Sequence, residues 1–189
     1  MIRIGILGDI GSGKSFVAKS FGYPVFNADN EVGKLYKINR KIFIKLNKAL
    51  PKYITEFPIK KKEVTRTILA NKNNLRKIIK IIHPEIRKKM NIFIKKNRKK
   101  KIVILDIPLL LENKINRKKD ILIFVESKKM QIQKRLKKRE NFDFKIIDKF
   151  KKIQLPLDYK KKKSNFIIKN NFTNRFIKKQ IKYILKQIH

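Results

Sequence analysis

Eight residues near the start of the chain, Gly8-Asp9-Ile10-Gly11-Ser12-Gly13-Lys14-Ser15, restrict its fold more than any other feature. They fit the pattern G-x-x-x-x-G-K-S/T and stand between an apolar run, Ile2 to Leu7, and a stretch with helical spacing, Lys14 to Phe21. A strand that enters a helix through such a turn makes a phosphate-binding loop. The glycines let the backbone curl so that successive N–H groups face an anion, and the N-terminal end of the helix adds partial positive charge. The segment Asp9, Ile10, Gly11, Ser12, Gly13, Lys14, Ser15 and Phe16 is therefore expected to hold a nucleotide, with Lys14 neutralising the β- and γ-phosphate oxygens and the Ser15 hydroxyl coordinating Mg²⁺.

The rest of the chain alternates in the same style. Val25–Asn27 reads as a second strand. Ile102-Val103-Ile104-Leu105 and Ile121 to Val125 have the continuous aliphatic character of strands covered on both faces, and Phe166 to Ile168 reads as a fifth strand. Ile177, Ile181, Ile184, Leu185 and Ile188 mark one face of a terminal amphipathic helix. This order predicts an α/β fold, a P-loop NTPase-type doubly wound parallel sheet with a helical substrate-binding insertion and a helical lid. With 189 residues a single domain is expected, its core at about 1–28, 100–138 and 165–189, the insertion at about 29–99 and the lid at about 139–164. The lysine tract Lys160 to Lys163 reads as a solvated face. Cysteine is absent, which rules out disulfides and cysteine-built metal sites. No apolar run approaches membrane-spanning length, and the opening reads as a strand rather than a leader, so a cytoplasmic protein without a membrane partner is expected.

Strand ends on the loop side are where ligands gather in such sheets. Asp29 follows the second strand and suits either a base for an attacking hydroxyl or the N-cap of a helix beginning at Asn30. Asp106 ends the Ile102 strand; it can hold a water on Mg²⁺ or contact the acceptor, or else be a cap or a solvated carboxylate. Arg135 and Arg139, four apart on a basic helix, share a face that meets either phosphates or solvent. His83-Pro84 suits a helix junction, where the histidine serves as a structural hydrogen-bonding residue or as a ligand contact.

Taken in order, these segments resemble the dephospho-CoA kinase family. The glycine loop, Asn27-Ala28-Asp29, His83-Pro84-Glu85-Ile86-Arg87, Asp106-Ile107-Pro108-Leu109-Leu110-Leu111-Glu112, Arg135-Leu136 with Arg139, Gln154-Leu155-Pro156-Leu157 and Asn170 all have counterparts there. The resemblance implies transfer of the ATP γ-phosphate to the ribose 3′-hydroxyl of dephospho-CoA, with Mg²⁺ accompanying ATP. It implies Asp29, Lys14 and Arg139 as catalytic residues, with Asp29 the base or orienter. Arg135 and Asn170 become ATP contacts, and His83, Arg87, Asp106, Pro108 and Leu109 become acceptor contacts. Arg139 and Lys161 become the charges of a lid. Asp9, Phe16, Asn27 and Lys161 depart from the usual residues at their positions.

The formal charge of +38 is spread along the chain as Lys and accompanies abundant Ile and Asn, the mark of a compositional bias rather than of a dedicated nucleic-acid surface. Polyanion binding without sequence preference is expected, and a monomer. Two other functions stay open on the residues: a nucleoside monophosphate kinase, and an ATP-binding module associated with nucleic acid.

Overall fold

The structure is a computed structural model, which describes residues 1–71, 73–138 and 143–188. The chain divides into two compact units, one of Met1–Asn27, Ile94–Phe142 and Ile153–His189, the other of Ala28–Phe93 and Asp143–Lys152.

The first unit is built on a five-stranded parallel sheet with strands β1 (Ile2–Gly8), β2 (Val25–Asn27), β3 (Ile102–Asp106), β4 (Ile121–Glu126) and β5 (Phe166–Lys169), in the order β2-β3-β1-β4-β5. All five strands expected from the apolar runs form, and the residues that close them include Gly8, Asp106 and Glu126, all at the loop edge. Parallel strands covered on both faces have no use for alternation, which is why β3 is buried along its whole length. On one face Ile4, Ile6, Ile102, Ile104, Ile123, Val125 and Ile168 meet Val17, Ala18 and Phe21 of α1 (Lys14–Ser20) and its C-terminal turn, together with Ile177, Ile181 and Ile184 of α9 (Asn174–Ile188). On the other, Leu110 and Leu122 close so tightly over Gly5 that a Cβ there would stand 2.5 Å from Leu110 Cδ2. At the end of β1 opposite the glycine loop, Arg3 makes a buried ion pair with Asp120, Nη2 to Oδ2 at 2.9 Å. Burial dominates for both partners, lowering the guanidinium's proton affinity and pushing the Asp120 carboxyl above its ordinary range.

The second unit is helical: α2 (Ala28–Ile38), α3 (Arg40–Ala49), α4 (Lys61–Ala70), most of α5 (Asn74–Lys96), and α7 (Phe144–Lys151). Asn39 caps α3 by accepting the Ile42 N–H at 3.0 Å. Lys149 of α7 donates to the carbonyls of Ile68 and Leu69 at 2.6 and 3.0 Å, placing a cation on the C-terminal carbonyls of α4. The expected junction at His83-Pro84 is not a junction. Pro84 lies inside α5, because Leu75, Ile78, Ile82, Ile86 and Met90 form one buried stripe along that helix, and interrupting it would forfeit more than the roughly 3 kcal/mol an internal proline costs. Among the described residues no helix is long and apolar enough to cross a membrane.

Candidate active site

The glycine loop turns back between β1 and α1. Gly13 caps α1 in the left-handed conformation (φ 88°), and Ser12 N–H closes the turn on the Asp9 carbonyl at 3.2 Å. Lys14 reaches back across the loop, its Nζ donating to the carbonyls of Gly8 and Asp9 at 3.1 and 2.6 Å. An ammonium held there, beside a helix N-terminus, gives this end of the loop positive electrostatic character. Asp9, the acidic departure within the loop, turns its carboxylate onto the neighbouring amide: Oδ1 accepts the Ile10 N–H at 2.7 Å.

Two glycines allow other elements to reach the loop. A Cβ on Gly11 would meet Ile132 and Leu136 of α6 (Lys129–Lys137) at 3.0 Å, so the basic helix packs directly on the loop. A Cβ on Gly13 would meet the Asn170 amide and, at 2.8 Å, the Phe172 ring. Asn170 is buried and engaged at both amide atoms: Nδ2 donates to the Ser12 carbonyl at 2.8 Å, and Oδ1 accepts the Phe172 N–H at 2.8 Å. Ser127, just past β4, donates to the same Ser12 carbonyl at 2.8 Å. Sequence reasoning placed Asn170 at the site but missed Ser127 and Phe172; the signal for Ser127 was its position immediately after a strand on the loop side. Arg135 is exposed, with its guanidinium carbon 4.2 Å from the centroid of the Phe172 ring.

Asp106 closes β3 beside the loop strand. It is 3% exposed, and Asn27, its register partner on β2, donates to it at 2.5 Å. It is neither a solvated carboxylate nor a cap, since turns rather than a helix follow it. Pro108 and Leu109 stand in those turns, with Leu109 buried. Glu112, which ends the segment, accepts the Leu155 N–H at 3.0 Å and pairs with Lys160 at 2.5 Å. Lys160 is 1% exposed, so the tract Lys160 to Lys163 is not a solvated face throughout. The correction has a simple cause: α8 (Leu157–Lys162) turns one of its lysines inward onto a carboxylate that needs a counter-charge.

The remaining candidates are distributed over both units and the undescribed residues. Asp29 is exposed in the first turn of α2, which begins at Ala28, so it is not the cap of a helix starting at Asn30. His83 and Arg87, four apart on α5, share a face, the first half-buried and the second exposed. Asp29, His83 and Arg87 belong to the helical unit. Arg139 lies outside the described residues. Of the stretch expected to act as a lid, residues 143–152 group with the helical unit and 153–164 with the sheet unit. Lys161 pairs with Glu126 at 2.6 Å, both side chains more than a third exposed.

Comparison with known proteins agrees with this geometry. The family model described as dephospho-CoA kinase matches residues 2–175. A dephospho-CoA kinase of Wolbachia pipientis wMel is 31% identical over 191 residues, covering 98% of this chain and 97% of its own. Among solved structures, a Thermus thermophilus protein superposes with a TM-score of 0.75 at 22% identity, covering 100% of this chain and 98% of its own. The dephospho-CoA kinase from Campylobacter jejuni superposes with a TM-score of 0.63 at 20% identity, covering 98% and 96%. At those identities the two structures speak to the fold. The sequence matches go further and extend over nearly the whole length: the chain belongs to the dephospho-CoA kinase family, kinases that transfer phosphate to a hydroxyl of dephospho-CoA.

Proposed function

We propose that the chain transfers the γ-phosphate of ATP to the ribose 3′-hydroxyl of dephospho-CoA with Mg²⁺, as a cytoplasmic monomer. The observation that carries this reading is Lys14 drawn across a glycine loop whose neighbouring strand ends in the buried Asp106. The loop amides and Lys14 bind the β- and γ-phosphates, and Gly11, Ser12 and Gly13 let the backbone approach them. Arg135 and Asn170 serve the nucleotide, Asn170 by holding the Ser12 carbonyl. Asp29 accepts the proton of the attacking hydroxyl, or orients it. His83, Arg87, Pro108 and Leu109 contact the acceptor, and Arg139 and Lys161 meet the phosphates as charge builds on the transferred group.

Ser15 and Asp106 suit Mg²⁺, since both offer hard oxygen donors. Among the described residues there is no group of three or more His, Cys, Asp or Glu able to hold a metal. When bound it neutralises charge on the phosphates; the chain's own residues position them and move the proton.

The test is ATP consumption with dephospho-CoA, AMP, GMP, CMP and DNA in parallel, with products identified by mass spectrometry. Turnover with dephospho-CoA giving ADP and CoA is expected. Turnover confined to a nucleoside monophosphate would overturn the reading.

A further inference from the structure

We propose that Lys160 is a positioning residue: its buried pair with Glu112 sets the rotation of α8 and so delivers the next residue, Lys161, to the loop edge of the sheet. The inference rests on the kinase reading above and adds the group that places one of its phosphate contacts. Of the six residues of α8 only Lys160 is buried, while Leu157 and Tyr159, which could anchor a helix by apolar burial, are 38% and 46% exposed. Apolar contact is non-directional, whereas a charge-assisted hydrogen bond fixes the angle as well as the separation of its partners. Glu112 makes two attachments through one oxygen, Oε1 accepting the Leu155 N–H at 3.0 Å and the Lys160 ammonium at 2.5 Å. The first holds the chain just before the helix and the second holds the helix itself. Glu112 Oε2 is buried without a hydrogen-bond partner, so the pair does not fully offset its own desolvation. Its geometry serves placement better than stability.

Successive residues of a helix point about 100° apart, so with Lys160 turned inward Lys161 leaves α8 sideways, and its ammonium reaches Glu126 at 2.6 Å. Glu126 ends β4, and the next residue, Ser127, donates to the Ser12 carbonyl of the glycine loop. Lys161 thus stands beside the strand end that supports the phosphate loop. Its pair with Glu126 is more than a third exposed on both sides, and ion pairs so exposed contribute little, so a phosphate oxygen can take the ammonium from Glu126 readily. Without Lys160 on Glu112, α8 keeps no other buried side chain to oppose its rotation, and Lys161 loses its place at that edge.

The experiment uses the double variant Glu112→Gln/Lys160→Met, which removes both buried charges and so tests position without stranding either. Turnover with ATP and dephospho-CoA is followed alongside urea denaturation. The urea midpoint is expected near that of the parent, whereas kcat should fall roughly 10- to 100-fold with KM for both substrates changed less than about threefold. Lys161→Met supplies a second reading: it should lower kcat by a similar factor in the parent and by less than about twofold in the double variant, where the ammonium is already displaced. Lys160→Met alone, assayed where circular dichroism shows it folded, should show the same loss of kcat, which keeps the test decisive if the double variant does not fold. Parent-like kcat in a folded variant, a rise in KM at unchanged kcat, or a full Lys161→Met effect in the double variant each overturns the proposal and leaves the kinase reading intact. A parent chain without turnover on dephospho-CoA overturns both.

Discussion

Lys160 heads the large side chains withdrawn from water, and its ammonium meets Glu112 at 2.5 Å. Removing one partner leaves the other charge buried and uncompensated, which costs about 3–5 kcal/mol. Lys160→Met retains the length of the stem and isolates the charge. In a chain of 189 residues that loss corresponds to a fall in Tm of roughly 6–20 °C. Glu112→Gln keeps an acceptor for the Leu155 N–H but strands Lys160, so it belongs in the same range. The double variant Glu112→Gln/Lys160→Met removes both charges. Because Glu112 Oε2 already has no hydrogen-bond partner, the native pair does not fully offset its own desolvation, and the double variant should return to within about 1–2 kcal/mol of the parent. Urea denaturation followed by far-ultraviolet circular dichroism measures all three. Either single variant lying within about 1 kcal/mol of the parent, or a double variant as unstable as the sum of the singles, would refute the reasoning.

Lys14→Ala should abolish phosphoryl transfer with the thermal melt preserved; near-normal turnover in a folded variant would remove the loop from the mechanism. Asp29→Asn should reduce turnover by roughly 10²- to 10⁴-fold with calorimetric ATP affinity retained, whereas a pure stability loss with normal turnover would make Asp29 a helix-terminus charge only. Glu31 carries the pH prediction: the hydrogen bond from Lys34 at 2.6 Å, reinforced by Lys89 at 3.3 Å, holds its carboxyl below the usual range. Its folded-state proton affinity is depressed, so its contribution is complete above the unfolded value of about 4.3 and is lost as pH falls through the folded one. Glu31→Gln should accordingly flatten the acid limb of the urea midpoint below about pH 4.3, and an unchanged limb would assign that limb to other groups.

The sheet was legible because strands covered on both faces carry continuous aliphatic runs, and α9 because Ile177, Ile181 and Ile184 recur with the helical period. The loop was legible because phosphate binding demands glycines at fixed spacing. Other features were hidden for identifiable reasons. Among four consecutive lysines, nothing local marks Lys160 as the inward one; only Glu112, more than forty residues earlier, creates the demand. Pro84 argues locally for a break, and the stripe from Leu75 to Met90 overrules it. Neither the left-handed backbone of Phe172 nor its ring beneath Arg135 has a sequence signature, since both arise from packing against Gly13 and Asn170.

The central position of β1 also bears on how the chain comes to be folded. Ile2 pairs with Ile102, and Ile4 pairs with both Ile104 and Ile121, so the first strand made is flanked only by strands made much later. Pairing over such separations is slow, because the intervening loop must close before any contact rewards it. During synthesis Ile2-Arg3-Ile4-Gly5-Ile6-Leu7 therefore waits without partners, an apolar strand of the kind that seeds aggregation. The lysines that follow it give the chain a strong positive charge, and repulsion between like-charged copies opposes pairing of that strand with its counterpart on a neighbour.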